Sequence, residues 1–505
     1  MSRKLELTWP HKKEVLLRLD ERGEPVWGTR DDVDARLLIQ QAHYGDPDAE
    51  NMLIKGDNLL ALKALESQFT GKIKCVYIDP PFNTGSAYEH YDDGLEHTIW
   101  LSMMKARLEI LNKLLCKDGA IVVHIDYREE ARLKLLMDEI FIGGFRNSII
   151  VKRGTKNVQQ QFDTIDSLAS GHDTLLLYAA RPETRFPHCR SVLEQPQEGT
   201  WNNHWRGTDR PTMRYELFGI TPEKGQWRWS KKRTMQAVRN YREYLEKYSD
   251  TMSIDDYYSM RLTEEGLKLD FVRLSKTGRP EHYVPPRSFR ILSDVWMDVR
   301  TSGKLTELEH EKHEELLLRV INWISQPGDW VLDSFLGSGT TAAVAHKLGR
   351  KWIGIELGEH AETLCLPRLK GVVSGEDKTG ISQEVGWKGG GGFKYYTLGE
   401  SVVGKDAATG VWVLNYTNGP LIEAICLREG FTIIADGDLH GKKGHNYAHI
   451  ADDHVTNEYV NSLLARLEDH ERLTVYCQSH DPYLQGNDRV EINRIPQALV
   501  KGHRK

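Results

Sequence analysis

The stretch Ile73-Lys74-Cys75-Val76-Tyr77-Ile78-Asp79-Pro80-Pro81-Phe82 sets the fold of the chain around it. Ile73 and Cys75 to Ile78 are dense in β-branched and aromatic side chains, the composition of a buried strand. Two consecutive prolines then stop the ladder, because each lacks a backbone N–H and fixes its own φ. Asp79 is left at the carboxyl end of the strand, where open α/β sheets bind ligands. The carbonyl of Pro80 is held rigidly by Pro81. One carboxylate, one fixed carbonyl and the Phe82 ring can together hold a planar amino group.

Upstream, Met52-Leu53-Ile54-Lys55 reads as a strand, Gly56-Asp57-Asn58 as a turn and residues 59–65 as a helix. Strand, turn, helix and next strand are adjacent βα steps of a parallel sheet. Downstream, Asn83-Thr84-Gly85-Ser86 opens a polar loop through Tyr91-Asp92-Asp93-Gly94. Its composition fits a loop that closes over substrate and an ordinary surface loop almost equally. Leu101, Met104, Leu108, Leu111 and Leu115 line one face of an amphipathic helix that Asp118-Gly119 is expected to end. A buried strand at 120–125 and a helix at 128–140 follow. Residues 1–50 form an N-terminal extension of short strand-like pieces without evident chemistry.

The pattern changes between about 146 and 300, where segments shorten and Trp, Arg and Lys cluster. Residues 201–250 hold eleven Lys and Arg against six Asp and Glu. Trp227 and Trp229 are interleaved with Arg206, Arg210, Arg228, Lys231, Lys232 and Arg233. Such interleaving fits a nucleic-acid surface, and equally a small α+β insert whose tryptophans are core and whose charges are solvated. From residue 305 the α/β text resumes, with a long helix expected at 307–324 and strands at 330–333 and 352–356. A linker is expected over 371–392, ending in the tract Gly389-Gly390-Gly391-Gly392, with a small α+β domain over 393–505. In that last domain Asp436, Asp438, His440, His445, His449 and His454 lie close in sequence. Their spacing matches no standard zinc pattern, so they are read as solvated loop and no metal is assigned.

Composition bounds the class. At 505 residues, with 28% charged and 39% hydrophobic residues, the chain is expected to be a soluble protein of two to four domains. A net charge of −6 gives no global basic field, so any nucleic-acid surface must be local. The six cysteines lack CxxC spacing, which argues against a disulfide framework and for a reducing cytoplasm. No apolar run approaches the ~20 residues of a membrane span, so no membrane partner is expected.

A second motif completes the first. Asp333-Ser334-Phe335-Leu336-Gly337-Ser338-Gly339-Thr340 follows a strand and opens a helix, and Glu356 ends the next strand. Glycines there let a ligand approach the backbone, and a second-strand carboxylate can grip ribose hydroxyls. A Walker A loop needs Gly-Lys-Ser/Thr, and no lysine is present. A dinucleotide fingerprint needs a third glycine, where Ala342 stands. S-adenosylmethionine, with a ribose and no phosphate, suits this turn.

Asp79-Pro80-Pro81-Phe82 followed much later by Phe335-Leu336-Gly337-Ser338-Gly339-Thr340 resembles the β-class amino-methyltransferases of DNA. Asn51 to Leu59, Trp100-Leu101-Ser102-Met103-Met104, Gly225-Gln226-Trp227-Arg228-Trp229 and Gly392-Phe393-Lys394-Tyr395-Tyr396 resemble the modification subunits of type III restriction systems and their stand-alone relatives. The resemblance implies a Rossmann-like S-adenosylmethionine-dependent α/β fold in two halves, 51–150 and 305–370. An α+β target-recognition insert would occupy 151–304, and a small α+β C-terminal domain would follow the linker. It further implies that Asp79, Pro80, Pro81 and Phe82 are catalytic. Phe335, Gly337, Ser338 and Gly339 would cradle the methionine part of the cofactor, Glu356 would bind the ribose and Asp57 the adenine amino group, with Asp333 and Thr340 also at the cofactor. Lys312 would join them, although His313 replaces the proline the family carries next to it, and Phe82 stands where the family more often has Tyr. Asp at the first catalytic position favours N6 of adenine over N4 of cytosine. The implied substrate is double-stranded DNA, with a homodimer and a separate restriction nuclease or helicase subunit as partners. A DNA-binding specificity subunit without catalysis is the alternative from another class.

Overall fold

The computed structural model describes residues 6–20, 22–82, 96–153, 168, 170–301, 312–405, 412–414, 421–451, 453–482 and 488–495. They divide into two compact units, one of residues 1–187 with 294–505 and one of residues 188–293. The loop expected at 83–94 lies outside the described residues.

The first unit is built on a ten-stranded sheet. In chain order its strands are β1 (Arg36–Gly45), β2 (Met52–Lys55), β3 (Ile73–Ile78), β4 (Leu115–Ile125) and β5 (Phe145–Lys152), then β6 (His172–Ala179), β7 (Val295–Arg300), β8 (Trp330–Asp333), β9 (Lys351–Glu356) and β10 (Gly392–Ser401). Across the sheet they lie in the order β7-β5-β6-β4-β3-β8-β9-β2-β10-β1. All run the same way except β6 and β1, which pair antiparallel to their neighbours. Helices α1 (Asn58–Phe69), α2 (His97–Leu114), α3 (Glu130–Ile140), α4 (Glu314–Ile324), α5 (Thr340–Lys347) and α6 (Leu366–Ser374) belong to the same unit. The interior strands are apolar without alternation, as in sheets covered on both faces: Ile73, Cys75, Val76 and Ile78 are all fully buried. The central pairing joins residues some 250 positions apart, with Val76 opposite Leu332. The two sequence motifs therefore start from the carboxyl ends of neighbouring strands.

Several boundaries differ from expectation. Helix α2 ends at Leu114, and Asp118-Gly119 lie within β4, where the register against β3 shifts between Leu115 and Ala120. Helix α4 begins only at Glu314, because His313 caps it, its ring accepting from Glu315 N–H at 3.3 Å; residues 302–311 lie outside the described residues. The expected linker is ordered structure. Ile381 and Ser382 are buried, Gly390 donates to Val373 O at 2.8 Å, and β10 starts at Gly392 as a full member of the sheet. It lies parallel to β2 and antiparallel to β1, so the N-terminal stretch contributes the sheet's edge. Likewise β5, β6 and β7 take both ends of the expected insert into the sheet. Of the histidines read as loop, His440 and His449 sit in a five-stranded sheet that includes Leu439–Lys443 and Asn446–Ile450, His445 lies in the turn between those strands, and His454 is in a separate two-stranded sheet. The His440 and His449 rings stack at 5.2 Å. Among the described residues no helix is long and apolar enough to cross a membrane.

Residues 188–293 contain the helices Lys231–Lys247 and Ile254–Glu265 with short antiparallel strands. Ser230 and Ser253 cap these helices, as their side chains allow. The interior of this unit is aromatic: Tyr244, Tyr257, Tyr258, Phe271 and Tyr283 form one cluster.

Candidate active site

Four carboxylates stand at the carboxyl ends of four successive strands, β3, β8, β9 and β2: Asp79, Asp333, Glu356 and Asp57. Each is held differently. Asp57 caps α1, its Oδ1 accepting from Leu59 N–H at 2.9 Å and Leu60 N–H at 3.1 Å, while Arg107 lies 3.4 Å from Oδ2. Asp333 is buried and accepts from Phe335 N–H at 2.9 Å and the Thr341 hydroxyl at 2.6 Å. Burial outweighs those two bonds and pushes its carboxyl up to about 7. Glu356 accepts from Gly337 N–H at 2.7 Å and Gly358 N–H at 2.9 Å. The acid expected to bind a ligand thus also ties down the glycine turn.

That turn needs its glycines. Gly337 and Gly339 have φ of 56° and 83°, the left-handed region that L side chains avoid. A Cβ at Gly337 would meet nothing within 4 Å, so this corner of the turn faces open space. Ser338 and Thr340 are buried, and Arg368 reaches both, lying 3.0 Å from Thr340 Oγ1 and 3.3 Å from the Ser338 carbonyl. The buried Asn58 side chain donates to Ser334 O at 2.8 Å and itself accepts from Arg107. Strand ends β2 and β8 are thereby linked on the ligand side.

At the end of β3, Asp79 divides its two oxygens. Oδ2 lies 3.0 Å from Lys312 Nζ, whereas Oδ1 is buried with no hydrogen-bond partner among the described residues. Pro81 O accepts from the indole N–H of the fully buried Trp100 at 2.9 Å, which pins the proline pair to α2. The Phe82 ring packs against His124 at 5.7 Å, and Lys312 Nζ sits 4.7 Å from its centroid. Lys312, expected beside the cofactor, here reaches the Asp79-Pro80-Pro81-Phe82 stretch.

Behind Phe82 runs a buried polar chain. The Tyr77 hydroxyl is 3.0 Å from His124 Nδ1, and His124 Nε2 is 3.2 Å from Asp173 Oδ2. Burial, reinforced by the Lys312 charge, lowers the imidazole below its usual range. A neutral ring with its proton on Nε2 satisfies both neighbours, accepting from Tyr77 and donating to Asp173. Burial alone would raise Asp173, but His124, Lys312 and Arg153 together hold it below the usual carboxylate range.

The sequence motifs thus converge, but the sequence reading gives no site role to Trp100, Asn58, His124, Asp173, Arg107 or Arg368. A histidine inside the apolar run 120–125 was a signal that could have been used. Asp173 had none, since only the antiparallel pairing of β4 with β6 brings it to His124.

The residues expected to touch nucleic acid all lie in the 188–293 unit, and they separate into two groups. Arg206, Arg210, Lys231 and Lys232 are exposed. Trp227 is core: it is 2% exposed and its indole N–H donates to Tyr215 O at 2.7 Å, so its ring is unavailable for stacking on a base. Trp229 is partly buried beneath the Arg233 guanidinium at 4.2 Å, and Arg233 also pairs with Asp270 at 2.7 and 2.9 Å. Arg228 is half-buried, and burial with Arg206 nearby lowers its pKa.

Comparison with known proteins matches residues 73–365 to the family described as DNA methylase. A probable type III restriction-modification enzyme Mod subunit (HindVI) of Haemophilus influenzae is 31% identical over 71% of this chain and 55% of its own length. The type II methyltransferase M.EcaI of Enterobacter cloacae is 29% identical over 63% of this chain and 69% of its own. The type III EcoP15I Mod subunit of Escherichia coli is 25% identical over 83% of this chain and 79% of its own. The match thus spans little more than half of the Haemophilus relative. With the matched region running from the first residue of β3 through β9 and the glycine turn, the chain belongs to the DNA methylase family.

Proposed function

We propose that the protein transfers a methyl group from S-adenosyl-L-methionine to N6 of adenine at specific sites in duplex DNA. The observation that carries this reading is Asp79 Oδ1, a buried carboxylate oxygen without a partner at the end of β3. A buried acceptor left unsatisfied is costly unless a ligand donates to it. An exocyclic amine has two N–H groups, and the second can go to the Pro80 carbonyl. With both accepted, the nitrogen moves towards sp³ and its lone pair becomes available. The cofactor, when bound, supplies an electrophilic methyl group. The protein contributes position and electrostatics rather than a covalent intermediate. A stacked base cannot reach this clamp, so the target is flipped out of the duplex to lie on Phe82.

The turn of Phe335, Gly337, Ser338, Gly339 and Thr340 would hold the methionine part of the cofactor, supported by the open space at Gly337. Each Glu356 oxygen accepts one backbone N–H and keeps a lone pair for a ribose hydroxyl. Asp57 would take the adenine amino group on the oxygen that faces Arg107. The exposed Arg206, Arg210, Lys231 and Lys232 favour the 188–293 unit as the part that recognises the target. The setting we infer is restriction–modification or phage defence in the cytoplasm, with a second copy and a separate nuclease or helicase chain as partners.

Sequencing DNA from cells expressing the protein for modified bases tests the reading. N6-methyladenine in one fixed context is expected, and its loss in Asp79→Ala, a variant that still binds the cofactor. N4-methylcytosine would overturn the choice of base, and unmodified DNA with the wild-type chain would overturn the reading.

A further inference from the structure

The ammonium of Lys312 holds the other oxygen of Asp79 and lies over the Phe82 ring, on which this reading lays the target base. It lies 3.0 Å from Asp79 Oδ2 and 4.7 Å from the Phe82 centroid, on a side chain only 12% exposed. His124, wholly buried, packs against the same ring, so a base that stacks where Lys312 sits must displace the lysine. Its backbone setting is rigid. The next residue, His313, donates its N–H to Thr301 O at 3.1 Å and caps α4. After it comes Glu314, buried and bonded to Lys347 at 3.0 Å and Arg368 at 2.7 Å. The lysine therefore reaches the clamp from a fixed helix start.

We propose that Lys312 is the placeholder of the clamp and a positioning residue of the reaction. It holds Asp79 and Phe82 in register in the free protein and is evicted by the target base. The proposal rests on the reading of Asp79 and Phe82 as a clamp for an exocyclic amine. A cation and a flat base cannot share one face of Phe82, so the two states exclude each other. A neutral amine is a weaker partner for a carboxylate than an ammonium group. Eviction from Oδ2 must therefore be offset by what a correct base adds: stacking on Phe82 and N–H bonds to Asp79 Oδ1 and the Pro80 carbonyl. A base that supplies less leaves Lys312 in place, so the lysine raises selectivity at the expense of affinity.

Two measurements on the full chain test this. In the first, Lys312→Met keeps the apolar stem and removes the charge, with labelled S-adenosylmethionine and DNA from a methylation-deficient strain as substrates. The KM for DNA is expected to fall about fivefold, the scale of a partly exposed ion pair, with a smaller change in kcat. Methylation should also spread to near-cognate sites. A raised KM would mean that the lysine attracts DNA rather than blocks the clamp, and would overturn the proposal. The second needs no DNA or cofactor: acetic anhydride labelling read by mass spectrometry. Lys312 is expected to react at least about tenfold more slowly than exposed Lys13, and faster in Asp79→Asn, where the paired charge is gone. Equal labelling of the two lysines, or no change in Asp79→Asn, would overturn it. Absence of any transfer by the wild-type chain would remove the clamp reading itself, whatever the labelling shows.

Discussion

The indole N–H of Trp100 donates to the carbonyl of Pro81 at 2.9 Å, tying the interior of α2 to the proline pair that follows Asp79. Trp100 is fully buried, so the bond is shielded from water. Trp100→Phe keeps most of the ring and removes the donor, leaving a carbonyl without a partner. The expected loss is about 1–3 kcal/mol of stability, read by urea denaturation. A single-turnover transfer rate reduced by about tenfold or more should accompany it, because small displacements of reacting groups carry large rate penalties. An unchanged rate in a folded variant would show that Pro81 is held without Trp100.

Asp333 gives the fold a dependence on pH. Its carboxyl is pushed up to about 7 by burial, whereas in the unfolded chain it titrates near 4. Between those values the folded protein holds a proton that the unfolded chain releases, so this group's contribution to stability falls as pH rises from about 4 to 7. The whole effect is bounded by about 4 kcal/mol, three pH units at 1.4 kcal/mol each. Asp333→Asn cannot ionise and keeps the shape. Its stability relative to wild type is therefore expected to improve between pH 5 and pH 8, measured by denaturant unfolding at each pH. A constant difference across that range would mean that Asp333 is ionised in the fold throughout.

The strands that carry the site were legible because buried parallel strands are continuous apolar runs, and these end in Asp79, Asp333 and Glu356. The glycine turn was legible because Gly337 and Gly339 stand where only glycine is comfortable. What misled was composition without context. Four consecutive glycines read as a flexible or turn-forming linker, yet Gly390 bonds Val373 O and accepts from the His346 ring. A Cβ on Gly375 would stand 2.2 Å from the Lys388 carbonyl, so close packing rather than flexibility explains glycine there. Interleaved Trp and Arg marked a surface but could not say which ring faces inward; Trp227 does. The His124–Asp173 pair depends on an antiparallel register between strands 49 residues apart, which no local pattern encodes.

The elements around the glycine turn rest on a buried ionic cluster. The Lys347 and Glu314 side chains are both fully buried, and Lys347 Nζ lies 3.1 and 3.0 Å from the two Glu314 oxygens and 2.8 Å from Asp377 Oδ2. The cluster joins α4, α5 and the stretch first read as linker. Lys347→Met leaves two acids without their shared cation, and a loss of about 3–5 kcal/mol is expected. Adding Asp377→Asn to that variant removes the acid left without its cation, since Glu314 keeps Arg368 at 2.7 Å, and should recover part of the loss because the two sites are directly coupled. Denaturation midpoints of the two single variants and the double variant give the coupling. A double variant no better than Lys347→Met would show that the lysine acts by packing alone.

The two groups of cations in the 188–293 unit should behave differently on DNA. Lys231 and Lys232 are exposed at the start of their helix, whereas Arg233 is committed to Trp229 and Asp270. If the lysines neutralise phosphates, replacing both with Ala weakens binding at all sequences. It also flattens the plot of log affinity against log salt concentration by roughly two, since each phosphate contact contributes about 0.9 to the slope. Stability should stay within about 0.5 kcal/mol, as for surface residues in general. Arg233→Ala should do the reverse, destabilising the unit while leaving the slope nearly unchanged. Fluorescence anisotropy on labelled duplex between 50 and 200 mM salt, the range over which such contacts are felt, separates the two. An unaltered slope in the double lysine variant would place the phosphate contacts elsewhere, with Arg206 and Arg210 the next to replace.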